Sequence, residues 1–173
     1  MDDSLFTPYF LVFAYVTSNV LALLSILASV KFPKLARLFF FLLFGWACWI
    51  NSSMAIETPW VYQDYAETAI PLYKQFILGV FESIITPMVL IIAVCQGFIA
   101  ISMLLKGKIF KAGCWGGIIF GLAIAPIGAY AAFPSTILMA IALFLLQKNP
   151  DNLYMWERKK KVVRESAITH FAH

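Results

Sequence analysis

Residues 113–134 read GCWGGIIFGLAIAPIGAYAAFP, and whether this stretch is one helix or two decides the fold. Gly113, Gly117, Gly121 and Ala125 recur every four residues and so share one face of a helix. Small residues at that spacing let a second helix approach closely inside a bilayer, which makes the face a packing surface. Pro126 and Pro134 then bracket a segment where the helix is expected to break and turn. With the turn, apolar segments fall at about 6–30, 36–56, 86–105, 112–131 and 133–147. Without it the last two form one broken helix, and the spans number four.

The charges choose between these readings. Lys31, Lys34 and Arg37 lie between the first two segments, and Lys106, Lys108 and Lys111 between the third and fourth. Lys148, Arg158, Lys159, Lys160, Lys161 and Arg164 follow the last. Five spans place these basic clusters on one side of the membrane. Asp2, Asp3, Glu57, Asp64 and Glu67 fall on the other side, where Lys74 is the sole basic residue. The positive-inside rule then puts the N-terminus outside and the C-terminus in the cytoplasm, as in a bacterial-type inner membrane. Four spans would split the basic clusters, so five are expected. The acidic start, Met1-Asp2-Asp3, lacks the cationic region of a cleavable signal, and the first span is expected to stay.

Composition agrees. The chain has 173 residues, 62% hydrophobic and 13% charged, with mean hydropathy +0.84. Soluble domains are about 25% charged. The expected architecture is an all-α, polytopic transmembrane bundle over residues 1–148 with a basic cytoplasmic tail at 149–173. A net charge of +4 arises from short clusters between apolar runs, which are topology determinants and exclude nucleic acid as a partner. Cys48, Cys95 and Cys114 all sit in apolar segments, without the spacing of a disulfide framework or a redox motif. His170 and His173 lack partners in sequence, so no metal site is assigned.

Polar groups within the spans need partners. Asn19, Asn51 and Gln96 are read as interhelical contacts. Counted along the helix from the basic ends, Asn19 and Gln96 lie at depths of roughly 14–17 Å, with Asn51 some 5–10 Å further out. Asn19 and Gln96 are therefore expected to pair. Asn51 shares its face of the second span with Ala47 and Ala55, which favours close helix approach. The opposite face carries Phe39, Leu42, Trp46, Trp49, Ser53 and Glu57.

The segment 57–85 is long for a connection. It carries Trp60, Tyr62, Tyr65, Tyr73 and Phe76, the aromatic belt expected at a headgroup interface, and a surface-lying helix is expected over about 70–85. Thr86-Pro87 has the form of a cap followed by a first-turn proline. Glu82 sits among apolar residues with no basic neighbour. An outward-facing pocket between the second span and the surface helix would be lined by Trp46, Trp49, Ser53, Glu57 and Glu82.

Arg37 opens a Leu/Phe-rich helix containing Gly45, an aromatic and proline-bearing loop follows, and the third span ends in Leu104-Leu105-Lys106-Gly107-Lys108 before two glycine-rich spans. In these features residues 37–147 resemble the DoxX-like membrane proteins. The first span would be an addition to that four-helix family. The resemblance implies a non-catalytic membrane subunit or partner in a redox-linked process, with a membrane-protein partner or a second copy of the chain. It implies no catalytic residue: where a lysine often follows the glycine of the family's first helix, this chain reads Trp49-Ile50-Asn51. The alternative is binding or transport of a small hydrophobic ligand, a quinone or a lipid. No nucleotide, nucleophile or metal motif points to an enzyme.

Overall fold

The computed structural model describes residues 8–149 and 154–157. The acidic start at Asp2 and Asp3, the Arg158–Lys161 cluster, His170 and His173 lie outside them. Five helical segments are long and apolar enough to cross a membrane: Val12–Lys31, Pro33–Glu57, Val80–Ser102, Gly107–Ile127 and Ala129–Gln147. The protein is therefore a five-span helical bundle, and the turn between the last two spans forms. Gly128 (φ 86°) and Ala132 in left-handed geometry reverse the chain there. A side chain at Gly128 would meet the Thr68 carbonyl oxygen at 2.3 Å, so both backbone shape and space require glycine.

The helices are α1 (Pro8–Lys31), α2 (Pro33–Glu57), α3 (Pro71–Ile77), α4 (Ile85–Ser102), α5 (Gly107–Ile124) and α6 (Ser135–Gln147). The five long ones close a ring in the order α1, α2, α4, α5, α6, with α6 returning to α1. Lys31, Lys34 and Lys106 lie at one end, here the basic end. The 57–85 segment and the α5–α6 turn form the other, the acidic end.

The larger buried cluster sits toward the basic end, where Phe40 and Phe44 of α2 meet Met103, Phe110, Cys114, Leu143 and Leu146, and a smaller one, Ala55, Ala66, Ile77, Phe81, Ile85 and Val89, lies at the acidic end. The small-residue ladder of α5 serves this packing. A methyl on Gly113 would fall 1.5 Å from the Ser102 hydroxyl oxygen, and one on Gly117 would fall 2.5 Å from Leu143 Cδ1. One on Gly121 would sit 2.8 Å from the Thr136 carbonyl oxygen. The fourth rung, Ala125, lies just past the helix in a 3₁₀ turn and is half-buried.

Arg37 closes the basic end. It is buried, and its Nε donates to the Met103 carbonyl at 2.7 Å while Nη2 donates to that of Leu105. Its guanidinium also lies 4.6 Å from the centre of the Phe110 ring. A fixed cation thus meets the carbonyls just beyond the C-terminus of α4, where the helix dipole is negative. Beside it, Lys106 pairs with Glu157 at 3.8 Å and lies over the ring of Tyr154, which stacks on Trp156.

Local details differ from the sequence reading, and the third span ends at Ser102 rather than about 105. The fourth span begins at Gly107 rather than about 112, because exposed Lys108 and Lys111 fit its first turns with their ammonium groups free to reach water. The expected helix over 70–85 is broken: α3 ends at Ile77, and a 3₁₀ turn, Val80–Ile84, follows. The bend is at Gly79, where a side chain would meet the Gln75 carbonyl oxygen at 2.8 Å. Thr86 does not cap α4, which starts one residue earlier. Its hydroxyl donates instead to the Ala55 carbonyl at 2.9 Å and ties α4 to the end of α2.

Candidate functional site: a cavity at the acidic end

The face of α2 bearing Gly45, Cys48 and Asn51 packs on α4. Side chains at Gly45 and Gly97 would lie 4.0 Å from Ala100 Cβ and 3.3 Å from Cys48 Sγ respectively. That register brings Asn51 to Gln96, and Asn51 Nδ2 donates to Gln96 Oε1 at 2.8 Å. The Tyr62 hydroxyl donates to Asn51 Oδ1, also at 2.8 Å. A short hydrogen-bonded chain therefore runs from the loop, through α2, to a buried amide on α4. Such a chain inside a bundle satisfies polar groups that would otherwise be costly to bury.

This corrects the expected Asn19–Gln96 pair. Helix α1 packs on α2 and α6, so Asn19 is away from α4 and donates to Tyr15 of its own helix at 2.9 Å. Depth counted from helix ends misled because the ends of α2 and α4 are not level. The glycine contacts set the register instead.

Beyond Gln96 the helices α4 and α5 separate, and a cavity of about 750 Å³ opens between them. That volume lies within the range of about 300–1,000 Å³ found for small-molecule sites. Met88, Val89 and Ile92 form the α4 wall, and Phe120, Ala123 and Ile124 the α5 wall. Asn51 lies in the α2 wall, and the 57–85 segment forms the roof, with Tyr62 and Tyr65 from its 3₁₀ stretch Pro59–Glu67 and Tyr73 from α3. Tyr62 and Tyr65 stack, ring centres 6.1 Å apart.

The roof is bonded to the α5–α6 turn. Thr68 Oγ1 donates to the Ile127 carbonyl at 2.8 Å and accepts from the Tyr130 amide at 3.2 Å. Tyr73 donates to the Ala123 carbonyl at 2.8 Å, the Ile70 amide to that of Pro126, and the Tyr130 hydroxyl to Glu67. At the other edge, Leu72 and Phe76, one turn apart on α3, line the cavity yet are 70% and 40% exposed. With Ala123 of α5 they are the exposed residues of the lining, so the cavity opens past apolar side chains.

The sequence-derived pocket residues lie elsewhere. Trp46 and Trp49 are 60% and 64% exposed on the far face of α2, Glu57 and Glu82 are exposed, and Ser53 is half-buried. None of the five lines the cavity. The site falls on the Asn51 face, which the sequence marks as packing. On that side of α2, Gly45 and Cys48 meet α4 and Asn51 reaches both Gln96 and the cavity.

Burial and the neighbouring Tyr65 push the Tyr62 phenol up to about 12, and burial and Asp64 push Tyr65 up as well. Both remain protonated donors at neutral pH. Among the described residues no three His, Cys, Asp or Glu side chains come together as a metal site. The chain matches no protein-family model, no curated protein and no solved structure.

Proposed function

We propose that this integral membrane protein binds a small apolar molecule drawn from the bilayer, in the cavity between α4 and α5. The observation that carries the reading is the mouth at Leu72 and Phe76: an apolar rim, open where the roof's hydrogen bonds to the α5–α6 turn end. Ile92 lies about 10 Å along α4 from its start at Ile85, a depth that belongs to hydrocarbon rather than water. By the charge asymmetry, the cavity end faces outward and the basic end the cytoplasm. The redox-subunit reading draws its support from the DoxX-like resemblance of residues 37–147, whereas ligand binding draws on the cavity.

Native mass spectrometry of protein extracted in mild detergent tests this reading. A bound species in the mass range of a lipid or quinone is expected, and Ile92→Trp, which places an indole in the cavity, removes it. Bare protein from the parent chain, or an adduct retained in full by Ile92→Trp, overturns the reading.

A further inference from the structure

The polar groups in the wall narrow the occupant further, on the reading that the cavity is a ligand site. None of the lining residues is charged: Glu82, adjacent to the lining Phe81, and Lys74, adjacent to the lining Tyr73, are both exposed outside the wall. A carboxylate or phosphate head drawn into this wall would lose its water with no cation to meet it, which is costly. A wholly apolar occupant would leave a different defect, because the wall carries surplus donors.

Tyr62 and Asn51 bring a phenolic hydrogen and a pair of amide hydrogens. The phenolic hydrogen goes to Asn51 Oδ1, and one amide hydrogen goes to Gln96 Oε1. The other amide hydrogen is surplus at the cavity wall. Turning both amides over would reverse the chain and release the Tyr62 hydrogen as well, so the excess of donors does not depend on amide orientation. Tyr65, stacked on Tyr62 and also in the wall, adds a second phenol. Both phenols hold their protons well above neutral pH.

We infer that the cavity takes an uncharged lipid whose single polar end is a hydrogen-bond acceptor, such as an ester carbonyl, held at Asn51 and Tyr65. Its chain lies along Val89, Ile92 and Phe120 and leaves past Leu72 and Phe76. The polar end is thereby buried while the tail remains continuous with the bilayer, so the ligand enters sideways and needs no passage through water.

Retention of tritiated methyl oleate by the protein in nanodiscs of saturated phosphatidylcholine tests the class. Unlabelled methyl oleate, oleate at pH 9 and cis-9-octadecene are the competitors, so the chain is matched and only the head differs. Oleate and octadecene are expected to compete roughly tenfold or more weakly than methyl oleate. Tyr65→Phe should weaken methyl oleate about two- to tenfold and leave octadecene unchanged. Oleate or octadecene competing as well as methyl oleate, or an unaltered Tyr65→Phe, overturns the class. If no label is retained, or Ile92→Trp retains it in full, the cavity reading itself fails.

Discussion

Toward the basic end, α5 lies so close to α4 that a methyl on Gly113 would fall 1.5 Å from the Ser102 hydroxyl oxygen. Two to three turns further along α5, Phe120 and Ala123 face Met88 and Ile92 of α4 across open space. The same pair of helices is close-packed at one end and splayed at the other. Gly113 permits the close approach in the first region, while residues of the 57–85 segment complete the lining of the second. Packing density in a membrane bundle is thus set locally, and a helix pair can supply both a core and a binding space.

The largest expected effect is at the packed end. Arg37→Met removes the donors that meet the Met103 and Leu105 carbonyls and should lower stability by about 3 kcal/mol or more, read from unfolding in mild detergent. Stability like that of the parent would mean the closed end does not depend on that cation. Gly113→Ala forces the added methyl against Ser102 and should cost about 1–3 kcal/mol, with Ser102→Gly restoring most of it in the double variant. Additive losses would show that the two helices are not in contact there.

At the hollow end the effects are smaller. Tyr62→Phe breaks the link to Asn51 and should cost about 1 kcal/mol. It should also change the alkaline response. The Tyr62 phenol ordinarily ionises near 10.0 and is held up to about 12 in the fold. The folded state keeps its proton where the unfolded chain has lost it, so stability falls as pH rises from about 10 to about 12 and is unaffected below. Tyr62→Phe should flatten part of that fall, and an identical alkaline profile would place Tyr62 in water. Ile92→Trp should shift stability by less than about 1 kcal/mol, because the space it fills is already open. A loss as large as that of Gly113→Ala would erase the distinction between the two ends.

Much of the packed region was legible in the sequence. The α5 ladder, the small residues flanking Gln96 and the basic clusters encode helix contact and span count through side-chain size and charge alone. The cavity was not. Its wall draws one residue from α2 and short sets from the 57–85 segment, α4 and α5, and no periodicity links one element to the next when only the fold brings them together. Tyr62 read as part of an interfacial aromatic belt, yet its hydroxyl reaches a buried amide chain. Trp46 and Trp49, which suit a pocket by residue type, occupy the exposed face.

The sequence by itself determined an all-helical membrane chain of five spans with basic and acidic ends, because hydropathy and charge act on each segment independently. The tertiary structure decided that Asn51 meets Gln96 and Tyr62 rather than leaving Gln96 to Asn19. It also decided where the bundle is hollow. Both depend on ring order and on the register set by Gly45 against Ala100 and Cys48 against Gly97. Register is a property of two surfaces in contact, and neither helix carries it alone.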